Sequence, residues 1–329
     1  MAEAPAVSVL IPLYGEHVSR TTLPDVASAW LAQDLPCEVV IAAAGHIPLR
    51  IASDVLDTGA VRVVRAGADA RAPGRLRNIA ATAARAPVFY LSDGDVAPLG
   101  RDYLRRALNI AGGRRVVSQP WMHRLDPRGP RVGRPERYAP VTKGGGPEGL
   151  GGGEINERVC FVTGAGESLR AMAGERLFWS GGEPVIVPPP ALLSSLHADD
   201  PYGAVLPFHA GGFLVDRATF DSVGGYCERY AGWGNEDDDL LLKLGGRTTV
   251  VRAWREVPTM VCLHFEHPRP YRNSDLRRND ALLATRRAAG PEAMISEDVG
   301  AGRPQHRHND HGLGSSPIEE VPGAAHQSA

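Results

Sequence analysis

Two acidic stretches carry chemistry in this sequence. The first is Ser92-Asp93-Gly94-Asp95, directly after the apolar run Val88-Phe89-Tyr90-Leu91. Two acids separated by one glycine offer hard oxygen donors, which suit Mg2+ or Mn2+ held against a diphosphate. An ordinary Asp-Gly turn is the alternative. The second is Gly232-Trp233-Gly234-Asn235-Glu236-Asp237-Asp238-Asp239, followed by Leu240, Leu241, Leu242 and Leu244. Asn235 reads as a helix N-cap and the acids as the first helical turn, where the helix dipole favours negative charge. Capping accounts for one or two acids, at about 0.3–1 kcal/mol each. It does not account for a longer run of mutually repelling acids, nor for the glycines and tryptophan before it. Trp233 offers a flat apolar wall suited to a sugar face. A carboxylate beside that wall, on a rigid helix start, is placed to take a proton from a bound hydroxyl. Arg75 and Arg77 precede and open a helix, which suits phosphate oxygens; solvated surface arginine is the alternative.

The flanking elements must position these groups. Val7 to Pro12 reads as a buried strand, and Thr22 to Gln33 as a helix with Thr22 as cap and Pro24 in its first turn. Glu38–Ala42 and Val61–Val64 read as strands, Leu76–Arg85 as a helix and Val88–Leu91 as a fourth strand. This alternation predicts an α/β fold: a mostly parallel sheet with helices on both faces. Ligands of such sheets bind beyond the carboxyl ends of the strands. If the fourth strand continues, alternation points Asp93 and Asp95 the same way. Further on, Thr248–Val251 and Thr259–Leu263 read as strands, the latter leading to His264-Phe265-Glu266-His267-Pro268.

Composition narrows the class. The 329 residues, 43% hydrophobic and 22% charged, are ordinary for a soluble globular protein. A formal charge of −2 gives no reason to expect nucleic acid or an anionic membrane as partner. Scattered Cys37, Cys160, Cys227 and Cys262 read as reduced cysteines of a cytoplasmic protein. No apolar run approaches the roughly 18–20 residues of a membrane span, and the N-terminus lacks a signal-peptide pattern. We expect one domain over 1–289: a nucleotide-binding half (1–125), a variable region (126–204) and an acceptor half (205–289). The Gly-rich stretch 143–153 lacks a following Lys-Ser/Thr and reads as a loop, either a lid or plain disorder. Leu177–Leu196 reads as acceptor-side packing. Asp275–Ala289 reads as a basic helix, and 290–329 as a disordered, histidine-bearing tail.

In this order the motifs resemble those of the family-two inverting glycosyltransferases of the GT-A fold. Val9-Leu10-Ile11-Pro12-Leu13-Tyr14 resembles the opening strand and nucleotide-contacting turn, and Gly74-Arg75-Leu76-Arg77-Asn78 a Gly-x-x-Arg-Asn helix start. Asp93-Gly94-Asp95 matches the Asp-x-Asp motif, and Gly211-Gly212 resembles the segment beside the donor sugar. Gly232-Trp233-Gly234-Asn235-Glu236-Asp237 resembles the Trp-Gly-x-Glu-Asp acceptor motif, closest to β-galactosyltransferases and chondroitin-type polymerases. The resemblance covers about residues 7–125 and 205–270. Two positions depart from the pattern: Ala43-Ala44-Gly45-His46 and Cys227 stand where the family places aspartates. Glu16 or Asp69 is the substitute at the first.

The resemblance implies a metal-dependent transfer of a hexose from a nucleoside diphosphate sugar, UDP-linked, to a hydroxyl of a small-molecule natural product or glycan. Asp93, Asp95 and His264 would hold Mn2+ or Mg2+, with His267 the alternative histidine. Pro12, Tyr14, Glu16, Arg75, Arg77, Asp93, Gly211, Gly212 and Trp233 would contact the donor or its sugar. Asp237 would be the general base and Glu236 its hydrogen-bonding neighbour. Aspartate rather than asparagine at 237 implies inversion. The alternatives are a sugar nucleotidyltransferase and a catalytically silent sugar-binding module.

Overall fold

The computed structural model describes residues 4–15, 19–45, 59–68, 70–113, 115–126, 139–140, 161–162, 168–169, 178–180, 183–185, 208–257, 260–265 and 273–301. Glu16, His46, Asp69, His267, the glycines at 143–153 and the tail histidines lie outside them.

The main elements are β1 (Val7–Leu13), α1 (Ser19–Leu31), β2 (Cys37–Ala44), β3 (Val61–Ala66), α2 (Pro73–Ala83), β4 (Val88–Leu91), β5 (Val96–Pro98), α3 (Tyr103–Ala111), β6 (Arg115–Ser118), β7 (Trp121–Asp126), β8 (Phe213–Asp216), α4 (Arg217–Ser222), α5 (Glu236–Arg247), β9 (Thr249–Arg252), α6 (Ala253–Glu256), β10 (Val261–Phe265), α7 (Asn273–Ala289) and α8 (Pro291–Gly300). A seven-stranded sheet runs β9-β6-β8-β4-β1-β2-β3. All its pairings are parallel except those of β8, which is antiparallel to both β4 and β6.

Period-two alternation builds a core on each face. On one face Val7, Val9, Ile11 and Leu13 of β1 join Leu23, Val26 and Trp30 of α1. On the other Leu10 joins Leu76 and Ile79 of α2 and Leu240 and Leu244 of α5. Every residue of β1 is buried, as a strand covered on both faces requires. The expected α/β sheet with helices on both faces is therefore present.

The reversed strand sets the site. Phe213 pairs with Leu91 and with Ser118, so the residues before β8 lie at the carboxyl ends of β4 and β6. β4 ends at Leu91, and the chain turns at Gly94-Asp95 into a second sheet. There β10 pairs antiparallel with β5 and parallel with β7, setting His264 opposite Val96.

Two expectations are corrected. Thr22 is no cap: it lies inside α1, fully buried, and its hydroxyl donates to the Gly94 carbonyl at 2.8 Å. Gly290 does not open a disordered tail, because α8 follows and buries Met294 and Ile295.

Candidate active site

Arg77 is the hub. Its side chain is 1% exposed, and its Nη2 donates to Asp93 Oδ1 at 2.5 Å. Nη1 donates to Asp237 Oδ1 at 3.2 Å. Nε and Nη2 reach the Ser92 carbonyl at 3.4 Å. Burial works against its charge, but Tyr226, Asp93 and Asp237 hold the guanidinium above its ordinary pKa. Arg77 was expected at phosphate oxygens; here it grips two protein carboxylates.

The neighbouring residues fix this geometry. Asn78 bonds both backbone groups of Tyr226, donating to its carbonyl and accepting from its N–H, each at 2.9 Å. The Tyr226 ring lies so close to α2 that a Cβ on Gly74 would sit 2.9 Å from it. Its hydroxyl donates to Asp237 Oδ1 at 3.0 Å. His209, just before β8, places Nε2 2.9 Å from Asp93 Oδ2. A Cβ on Gly211 would stand 2.9 Å from Arg77 Nη2 and 3.0 Å from Asp237 Oδ2. The backbone at 211 thus approaches the site as only glycine allows.

The acids of α5 divide their work. Glu236 is buried, and its Oε2 accepts from the Gly234 N–H at 2.9 Å. Burial, then the neighbouring Asp237 charge, pushes its carboxyl up to about 8. Asp237, with 19% of its side chain exposed, is the acid that reaches Arg77. Burial holds it above the ordinary carboxylate range, while Arg77 pulls it back. Asp238 is also raised, by burial and then by Asp237. Asp239 is fully buried and faces away, receiving Arg286 Nε at 2.5 Å and the Tyr230 hydroxyl at 3.1 Å. Asn235 makes no side-chain cap. Its backbone is left-handed at φ 70, a conformation asparagine tolerates, and its amide donates to Asp280 at 2.7 Å.

Asp93 and Asp95 diverge, because β4 does not continue through them. Asp95 is 3% exposed, and its Oδ2 lies 3.7 Å from His264 Nε2. That is too long for a hydrogen bond. Two donors each about 2.1–2.3 Å from one ion stand roughly 3–4 Å apart, so an oxygen and a nitrogen at this spacing fit a shared divalent cation. Asp93 is not gathered with them: its two oxygens face Arg77 and His209. Among the described residues no group of three or more Asp, Glu, His or Cys is placed to hold a metal. The pair therefore fits a cation that takes its remaining ligands from phosphates and water.

The other expected residues surround this centre. Pro12 is buried in β1, opposite Ala42. Tyr14 packs against the core of the α2 face. Arg75 Nε lies 3.6 Å from Glu228 Oε2, about a third exposed. Gly212 faces Pro120 and His209. Trp233 is half-buried, its carbonyl held by Asn279 Nδ2 at 3.2 Å. Sequence reasoning missed His209 and Tyr226. The signal for the first was a histidine two residues before Gly211-Gly212; for the second, a tyrosine inside the glycine-rich approach to the acids.

A family model described as the N-terminal domain of galactosyltransferase matches residues 195–267. No curated protein matches the chain in sequence. Among solved structures the chain is similar to GalNAc-T7 with UDP, GalNAc and Mn2+, at 15% identity and a TM-score of 0.49 over 86% of this chain. It spans about half, 48%, of that chain's length. It is similar to residues 1–349 of TarS from S. aureus in complex with UDP-GlcNAc, at 13% identity and a TM-score of 0.45, covering 89% of this chain and 71% of that one. It is also similar to the mannosyltransferase PcManGT from Pyrobaculum calidifontis in complex with GDP-Man and Mn2+, at 13% identity and a TM-score of 0.45, covering 91% of this chain and 75% of that one.

Proposed function

We propose that this chain is a metal-dependent inverting glycosyltransferase of the GT-A type. It moves a hexose from a UDP-sugar to a hydroxyl of a small molecule or glycan. One observation carries the reading: Arg77 ties the half-buried carboxylate of Asp237 to Asp93 just past the carboxyl end of β4, two residues before Asp95, which stands with His264 at the spacing of a cation donor pair. The galactosyltransferase-domain match over 195–267 supports it, since that range spans Trp233, Glu236, Asp237 and His264.

Asp95 and His264 would hold Mn2+ or Mg2+. When bound, the ion neutralises charge on the diphosphate leaving group. The chain's own residues do the rest. Asp237 receives the acceptor proton, and its raised pKa brings the base nearer to neutral pH, where proton transfer is most effective. Glu236, neutral below about 8, offers a hydrogen bond to sugar hydroxyls. Trp233 forms the apolar wall of the acceptor side. Gly211 lets the backbone before β8 pass close beside the Arg77–Asp237 pair.

Calorimetric titration of UDP, GDP and dTDP, each with and without Mn2+, tests this. UDP should bind only with metal, and Asp95→Ala should abolish that binding. Metal-dependent binding of GDP or dTDP instead would keep the class and move the donor. No binding of any of the three to folded protein would overturn the proposal.

A further inference from the structure

The two oxygens of Asp237 are not equivalent. Oδ1 receives both Arg77 Nη1, at 3.2 Å, and the Tyr226 hydroxyl, at 3.0 Å. No described residue bonds Oδ2, which faces the bare backbone of Gly211. The guanidinium that grips Oδ1 also grips Asp93 on the donor side. Arg77 and Tyr226 are themselves almost wholly buried, so they act through other groups rather than on a substrate. Arg77 lies 5.3 Å from the Tyr226 ring centroid, which makes the two one packed unit.

We propose that Arg77 and Tyr226 are positioning residues that anchor Asp237 by Oδ1 and so assign proton transfer to Oδ2. The proposal rests on Asp237 being the base. The acceptor O–H breaks and its proton passes to Oδ2. The acceptor oxygen bonds the anomeric carbon, and the nucleoside diphosphate leaves with the electron pair of the broken C–O bond. A carboxylate pinned on one oxygen keeps the other in attack geometry, and small misplacements there are costly.

Tyr226→Phe is the sharpest test, because it keeps the ring against Gly74 and Arg77 and removes only the hydroxyl. Losing one hydrogen bond to a charged group should lower kcat about tenfold or more. The donor KM and metal-dependent UDP binding should stay at wild-type values. Arg77→Lys, which cannot bridge two carboxylates, should lower kcat further. Wild-type kcat in Tyr226→Phe would overturn the proposal. So would a fall in kcat matched by an equal loss of UDP affinity, which marks a merely structural role. Asp237→Asn separates the two readings: near-normal turnover in that variant removes the base itself, whereas its inactivity beside a fully active Tyr226→Phe removes only the anchor.

Discussion

At the residue scale the site is set by how burial and charge divide among the acids. Asp237 must be ionised to accept a proton. Burial is the largest influence and raises its pKa; Arg77, His209 and the Tyr226 hydroxyl favour ionisation, and Asp93 opposes it. The acidic limb of a kcat/KM profile should therefore lie above the ordinary carboxylate range of about 4. A limb at that ordinary value would deny Asp237 the role. Glu236 makes a separate prediction about stability. Its folded pKa, about 8, is above its value in an unfolded chain. Between the two, the folded state keeps a proton that the unfolded state has lost, so stability falls as pH rises through that window. Glu236→Gln keeps an acceptor for the Gly234 N–H and removes the titration. Its Tm should decline less than the wild type's between about pH 5 and pH 8; parallel curves would refute the assignment. The acidic run was legible as chemistry because consecutive acids exceed what capping needs. The division of labour was not, since Asp237 depends on Arg77 and Asp239 on Arg286, each far away in sequence.

At the element scale the question is what holds α5, the helix that carries the base. Asp239, at its first turn, and Lys243, one turn on, are both fully buried. Arg286 of α7 bonds Asp239 through Nε and Nη2, and also reaches Glu297 and Asp298 of α8. Lys243 Nζ donates to Asp298 and, at 2.6 Å, to the Gly225 carbonyl. Three helices are thus joined by alternating charges, and the connection from α4 to α5 that carries Tyr226 is tied in through Gly225. Removing one member leaves the others buried and unpaired, which typically costs about 3–5 kcal/mol. Arg286→Met should lower the unfolding free energy by that amount in urea titration. A loss below about 1 kcal/mol would make the network ornamental. β1 and β4 could be read from sequence, because each is a short apolar run buried almost throughout. The end of β4 and the antiparallel insertion of β8 could not. Both depend on pairing between segments far apart in sequence, and no local pattern records it.

At the scale of the whole molecule, one sheet separates two cores, and the site sits where the α2–α5 face meets the sheet's carboxyl edge. Strand–helix alternation made the parallel sheet legible. The closing of that face by the C-terminal helices was not, because α8 is short and begins directly after Gly290 at Pro291, a pair that reads as a break. Yet Met294 and Ile295 are 1% and 2% exposed, and Ile295 belongs to the same core as Leu240 and Leu244 of α5. A helix packed this way is part of the domain, and it backs the element that carries Asp237. Ile295→Ala removes buried methyl groups from that contact and leaves a cavity, for which large-to-small core changes cost about 2–5 kcal/mol. The variant should show a loss of that size in denaturant unfolding, with the m-value unchanged. If the unfolding midpoint instead stays at the wild-type value, α8 does not support α5. The base helix would then be held by the Asp239–Arg286 pair and the sheet alone.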